Sequence, residues 1–221
     1  MRVRMLDTEL IKKTEAFLQE MLQKSPYFEE HPAALDYRLE HSYRVANIGR
    51  TIAQGEGFSE TDMVVACLLH DVSYSEEFDG KEDWLNHGRR AAELARTFLE
   101  SEDLAAERIA AICYGIAIHV DDEADFPGER TPFAESVGDA DNIDRFDAYR
   151  IYEILQMKEF SEMSLSDKET LVNTTLSRLT ELQEMKLGTK TAQAIWHERL
   201  NFYREFYLKL QEQLANSSSI I

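Results

Sequence analysis

Met63-Val64-Val65-Ala66-Cys67-Leu68-Leu69-His70-Asp71-Val72 is the stretch on which the reading of this chain turns. Seven apolar residues, 63–69, run together without a glycine or proline. Ser59 stands ahead of them with Asp62 three residues on, an approximate capping box that starts a helix. The run falls far short of the roughly 20 apolar residues a membrane span needs, so it reads as an apolar helix and not as a span. It ends in His70-Asp71. Neighbouring residues inside a helix diverge by roughly 100°, but at a helix end both side chains can converge on one ion. A His-Asp dipeptide alone is a weak signal; this one gains weight from its position.

Working outward, breaker residues divide the rest of the chain into helices. Asp7 to Lys24 is amphipathic and stops at Ser25-Pro26, and His31-Pro32 marks another break. Leu35 to Gln54 forms a second helix, ended by Gly55-Glu56-Gly57. After a polar loop from Ser73 to Asp83, helices are expected over 84–100 and 104–119. The acidic stretch Asp121 to Thr131, with Pro127-Gly128, reads as a surface loop. One helix is expected from Phe133 to Lys158, another from Ser166 to Met185 and a last from Thr189 to Leu214, with Gly188 as a stop between them. Asn216-Ser217-Ser218-Ser219 reads as a frayed tail. The alternating short runs that a sheet needs are absent, and Gly (9) and Pro (4) are scarce, so the fold class is all-α.

At 221 residues with 43% hydrophobic content, the chain is expected to build a single compact domain with a sizeable core. A formal net charge of −18, with no basic cluster to offset it, opposes binding of a nucleic-acid polymer. A small anion held at a metal is not excluded, because the ion is the largest local charge in such a site. Cys67 and Cys113 lie in apolar stretches and form no C-x-x-C pair, which fits a reducing compartment. The N-terminal MRVRMLDTELIKK has no apolar run behind its charges, so it is not a signal peptide, and a cytoplasmic protein with no membrane partner is expected.

Four of the six histidines fall on inward helical faces. His41 shares a stripe with Val45, Ile48 and Ile52; His70 with Met63, Ala66 and Cys67; His87 with Ala91, Leu94 and Phe98; His119 with Ile112, Gly115 and Ile116. One histidine on an apolar face is usually a satisfied core residue. Four of them, with carboxylates nearby, pose a burial cost that a metal ion removes for all at once. In Gly138-Asp139-Ala140-Asp141-Asn142-Ile143-Asp144-Arg145, Asp141 shares a face with Val137 and Arg145 and can point inward, while Asp139 points elsewhere. His31 and His197 fall outside this constellation.

The ordered set His-Ser-x-Arg-Val-Ala at 41–46, Leu-Leu-His-Asp at 68–71 and Asp-Ala-Asp-x-Ile-Asp at 139–144 resembles the HD superfamily of metal-dependent phosphohydrolases. The likeness covers about residues 36–150. It implies an HD-domain helical bundle over that span, with the helices of about 151–215 packing on it. It implies that His41, His70, Asp71 and Asp141 bind a divalent metal, and that His87 and His119 ligate a second ion if Asp71 bridges two. Imidazole-rich ligands favour a transition metal, Fe, Mn, Ni, Co or Zn, over Mg or Ca. On this reading the chain is a hydrolase of a small phosphate ester or nucleotide that uses a metal-activated water. Asp71 is ligand or bridge. Asp144 is a hydrogen-bond acceptor for a ligating histidine, or else a partner of Arg145. Arg44 and Arg145, each one turn from a ligand, are candidates to grip phosphate bidentately, against salt bridges to the many carboxylates; Lys81 is a weaker candidate. Two alternatives stay open: a di-iron oxygenase acting on a small organic or organophosphonate substrate, and a non-catalytic metal-stabilised binding module. Substrate identity and oligomeric state are not legible.

Overall fold

The computed structural model describes residues 2–121 and 125–218, and their regular structure is helical, with no strand among them. In chain order the α-helices are α1 (Arg2–Gln23), α2 (Pro26–Glu30), α3 (Pro32–Glu56), α4 (Glu60–Leu69), α5 (Lys81–Ser101), α6 (Ala106–Ile118), α7 (Pro132–Asp144), α8 (Ala148–Met157), α9 (Leu165–Leu182) and α10 (Lys190–Ala215). Short 3₁₀ turns lie at Val72–Ser75 and Phe160–Glu162. No helix among the described residues is long and apolar enough to cross a membrane. Asp122 and Glu123 of the expected acidic loop, and Ser219 of the expected tail, lie outside the described residues.

Two local outcomes differ from the sequence expectation. Pro26 and Pro32 each open a new helix, because a proline in the first turn loses no needed N–H and presets the helical φ. The single helix expected over 133–158 is broken into α7 and α8. Asp147 makes the break: its backbone is extended (φ 178°, ψ −175°) and its carboxylate accepts the Ala148 N–H at 2.7 Å, starting a new helix there. The Ser59 cap forms as the sequence implies, its hydroxyl accepting the Asp62 N–H at 3.3 Å. Gly57, at φ 74°, ends α3 in the left-handed conformation that glycine takes without strain.

The chain divides into two compact units, the first comprising the described residues up to Asn142 together with Leu187–Ala192, the second Ile143–Lys186 and the described residues from Gln193 onward. In the first unit α4 is the central rod. Met63 to Leu69 are each at most 1% exposed, and the helix packs against α1, α3 and α6. A Cβ on Gly49 of α3 would sit 2.5 Å from the Cys67 sulfur, so the absence of a side chain there lets α3 and α4 approach closely. Residues 187–192 are tied into this unit by Gly188 N–H donating to Asp139 Oδ2 at 2.9 Å and Thr191 N–H donating to Glu56 Oε1 at 2.7 Å.

The second unit has its own aromatic core. Trp196 is buried, its indole N–H donates to the Leu182 carbonyl at 3.0 Å, and Phe146 packs edge-on against it at 4.9 Å. Arg199 donates to the Ile143 carbonyl at 3.1 Å and pairs with Asp147 at 3.4 Å.

Candidate metal centre

The first unit brings six chemistry-bearing side chains together from five places in its fold. His41 comes from the middle of α3, His87 from α5 and Asp141 from α7. His70 and His119 sit at the C-terminal ends of α4 and α6, and Asp71 is the residue after His70. All six are buried, with His70 fully so. Two helix C-termini thus end at the cluster, where the partial negative charge of their dipoles favours a cation.

The imidazoles are oriented by their own helices. The Nδ1–H groups of His70, His87 and His119 donate to the carbonyls of Cys67, Trp84 and Ile116, at 2.7, 2.5 and 2.6 Å. Each acceptor lies three residues earlier in the chain. With Nδ1 carrying the proton, the neutral ring presents a bare Nε2 lone pair to the cluster. The Nε2 atoms meet in pairs, His41 with His70 at 3.3 Å and His87 with His119 at 3.2 Å. Lone pairs facing each other at that separation repel unless a proton or a cation lies between them.

Asp71 joins the two pairs. Its Oδ2 lies 3.6 Å from His41 Nε2 and 3.4 Å from His70 Nε2, while its Oδ1 lies 3.3 Å from His87 Nε2 and 3.5 Å from His119 Nε2. Asp141 Oδ1 completes the first group at 3.2 Å from His41 and 3.8 Å from His70. Donors each about 2.1 Å from a common ion are spaced at about 3.0–3.4 Å in octahedral or tetrahedral geometry. Five of the eight spacings fall in that range, and the other three, at 3.5, 3.6 and 3.8 Å, lie above it. The residues therefore fit a metal: three overlapping buried groups, His41–His70–Asp71, His70–His119–Asp141 and Asp71–His87–His119, offer ligand atoms within 4.8 Å of one another.

The cluster's negative charge and its burial act on the rings in opposite directions: burial pulls His119 down, but the hydrogen bond and charge of Asp71 outweigh it and raise it above its ordinary value. Burial drives the His70 imidazolium down to about 4, so the ring is neutral, the form that ligates metal. Burial opposes ionisation of Asp71, but with His70 neutral the Arg38 guanidinium, together with hydrogen bonds from His119 and His87, still holds the carboxyl well below the usual range. Arg38 donates through Nη1 to Asp71 Oδ2, and its guanidinium lies 3.6 Å over the ring of Tyr74.

The other residues singled out in the sequence are placed differently. Arg44 pairs with Glu40 at 3.8 Å, one turn back on α3. Asp144 is the buried last residue of α7, and Arg145 after it is exposed. Lys81 begins α5 and is exposed. Asp139 accepts from Gly188 N–H, as noted above. His31 and His197 are exposed and belong to none of the clusters found among the described residues. Sequence reasoning passed over Arg38. Extending the His41, Val45, Ile48 stripe back by three residues reaches it, and back by four reaches Tyr37, whose ring lies parallel to that of His41 at 6.2 Å.

Beside the cluster is a cleft of about 670 Å³, lined in part by Arg38, Tyr37 and Tyr74.

The HD domain family model matches residues 38–149. A crystal structure of a predicted HD superfamily hydrolase from an uncultured Thermotogales bacterium is 20% identical, with a TM-score of 0.62 over 94% of this chain and 92% of that one. The structure of Bacillus subtilis YpgQ in complex with ADP is 16% identical, with a TM-score of 0.62 over 94% of this chain and 96% of that one. At these identities the two structures establish a shared fold. No curated protein matches the chain.

Proposed function

The chain belongs to the HD-domain family, and from that membership we propose that it is a metal-dependent hydrolase of a small phosphate ester or nucleotide. The observation that carries the reading is the arrangement of Asp71, each of whose two carboxylate oxygens faces its own pair of histidine Nε2 atoms. That disposition supports one or two divalent transition-metal ions held by His41, His70, Asp71 and Asp141 on one side and by Asp71, His87 and His119 on the other. An ion held there would supply Lewis-acid chemistry, polarising a phosphoryl oxygen and lowering the pKa of a water.

The protein's own groups supply the rest. The backbone carbonyls of residues 67, 84 and 116 keep three imidazoles in the ligating tautomer. Arg38 touches the Asp71 carboxylate and also lines the adjoining cleft. Its guanidinium carries five N–H donors in a planar fork, the geometry that grips a phosphate. Arg44, engaged with Glu40, has further to reorganise before it meets the same group. Binding of ADP by the YpgQ structure supports keeping nucleotides among the substrates.

The test is hydrolysis by the full-length, metal-loaded protein across phosphomonoesters, phosphodiesters and nucleotides, with phosphate or pyrophosphate release as the readout. Activity that chelation removes and metal restores is expected. No turnover anywhere in the panel would overturn the reading. The complement of four imidazoles and two carboxylates also supports a second reading, a di-iron oxygenase. Two irons per chain together with oxygen uptake on an organic substrate would favour it.

A further inference from the structure

The cleft beside the cluster is walled by five aromatic rings, Tyr27, Phe28, Tyr37, Tyr74 and Phe78. Its volume, about 670 Å³, lies in the middle of the range of small-molecule sites, roughly 300–1,000 Å³, and far exceeds what a bare phosphate needs. Cleft and cluster share walls. The Tyr37 ring lies parallel to that of His41 at 6.2 Å, and Tyr74 and Phe78 lie 5.3 and 6.3 Å from His87. Arg38 belongs to both, lining the cleft and bonding Asp71.

We infer that this cleft seats the organic part of the substrate, and that the part it takes is a planar, amino-substituted heteroaromatic ring, a nucleobase of the adenine, cytosine or guanine kind. The inference rests on the phosphohydrolase reading only for placing the phosphate at the cluster. Three features point to this class. Aromatic faces reward a flat π-system with stacking, which a sugar phosphate or an alkyl ester cannot return. The polar rim is acidic: Glu30, Glu76 and Glu77 line it, and Glu76 is fixed by Arg90 at 2.6 and 2.7 Å. Ionised carboxylates repel a phosphate, which is thereby turned toward Arg38 and the histidines.

Carboxylates also accept hydrogen bonds and cannot donate them. An exocyclic amino group offers them two hydrogens, whereas uracil and thymine offer only the ring N3–H, flanked on both sides by carbonyl oxygens that the carboxylates repel. The cleft thus favours bases that carry an exocyclic amino group over uracil and thymine, which carry none.

Binding measures this without relying on turnover. Full-length protein loaded with Mn²⁺ is titrated calorimetrically with ADP, CDP, UDP and pyrophosphate. ADP and CDP are expected to bind about tenfold or more tightly than UDP, the size of one good hydrogen-bonded base contact. Tyr27→Ala or Phe78→Ala should weaken ADP about tenfold to a hundredfold, the scale of one lost stacking partner, and pyrophosphate less than about twofold. Glu77→Gln, on an exposed loop where folding is not at stake, should narrow the gap between ADP and UDP. Equal affinity for ADP and UDP, no binding of ADP, or equal losses for ADP and pyrophosphate in the aromatic variants would overturn the inference. If the base preference is found but no phosphate ester is ever hydrolysed, the phosphohydrolase reading fails and the cleft assignment stands. If ring-less esters are hydrolysed and no base preference exists, the cleft assignment alone fails.

Discussion

Replacing Asp71 with asparagine keeps the shape of the side chain but removes its charge and turns one oxygen into an N–H₂ donor. In the structure both oxygens are committed, Oδ2 to the His41–His70 side and Oδ1 to the His87–His119 side. Whichever way the amide settles, its two hydrogens face one histidine pair, and the other pair is left with a neutral oxygen in place of its carboxylate, so Asp71→Asn should empty both halves of the cluster. His87→Ala removes a donor from one half and leaves His41, His70, Asp71 and Asp141 intact, so it should keep one ion where the wild type holds two. A site-bound metal at a hundred times its Kd stabilises the folded chain by about 2.7 kcal/mol. For a chain of 221 residues, each kcal/mol moves Tm by about 2–4 °C, so chelation should lower the wild-type Tm by about 5–10 °C. Chelation of Asp71→Asn should produce no shift. The assay is elemental analysis per chain paired with thermal melts with and without chelator, and His197→Ala, whose exposed ring lies outside the clusters, serves as the unaffected control. If Asp71→Asn retains the wild-type metal content and the full chelator shift, the paired-imidazole geometry does not describe a metal centre.

Further expectations follow from the packing of the first unit. Gly49→Ala would place its Cβ 2.5 Å from the Cys67 sulfur and 3.1 Å from Met63 Cγ in a fully buried seam, and overpacking of that kind costs about 1–3 kcal/mol, visible as a lower urea midpoint; an unchanged midpoint would contradict the close α3–α4 approach. Ser59→Ala removes the acceptor for the Asp62 N–H and should cost about 0.5–2 kcal/mol by the same measurement, with Ser59→Asp restoring most of it. Burial pushes the Cys67 thiol well above its ordinary range and Cys113 up to about 11, so both stay protonated at pH 8 and should resist a disulfide-exchange reagent until urea unfolds the protein. Immediate reaction of either cysteine in the native state would refute their placement.

What the sequence makes legible is what local rules enforce. The apolar run 63–69 can only be a buried helix, Ser59 can cap it within three residues, and a histidine on an apolar stripe must face inward whatever else the chain does. Hence the six residues of the cluster are visible from periodicity and motif order. The way they pair is not. His41 meets His70 across 29 residues and His87 meets His119 across 32, and a helical period reports which face a side chain takes but never which face it meets. The break between α7 and α8 was hidden for a related reason. Asp147 sits in a segment whose apolar spacing continues a helix, and only its extended backbone and the bond to Ala148 reveal a second start.

The same distinction explains why the reaction class is easier to read than the substrate. The ligands sit on α3, α5 and α7 or at the ends of α4 and α6, where the backbone leaves each side chain one direction to take. The rings that flank them come partly from other places: Tyr74 lies on a 3₁₀ turn, Phe78 on the loop before α5, and Tyr27 on a five-residue helix between two prolines. No period governs those segments, so nothing in the sequence ties their aromatics to His41 and His87. Arg38 is the exception that shows the rule. It lies one turn before His41 on a regular helix, and that regularity is what carries it to Asp71. A site built from helices keeps its metal ligands where periodicity can find them. Tyr74 and Phe78 of the adjoining cleft sit where the chain has left its α-helices, and only the folded structure brings them beside the histidine and aspartate cluster.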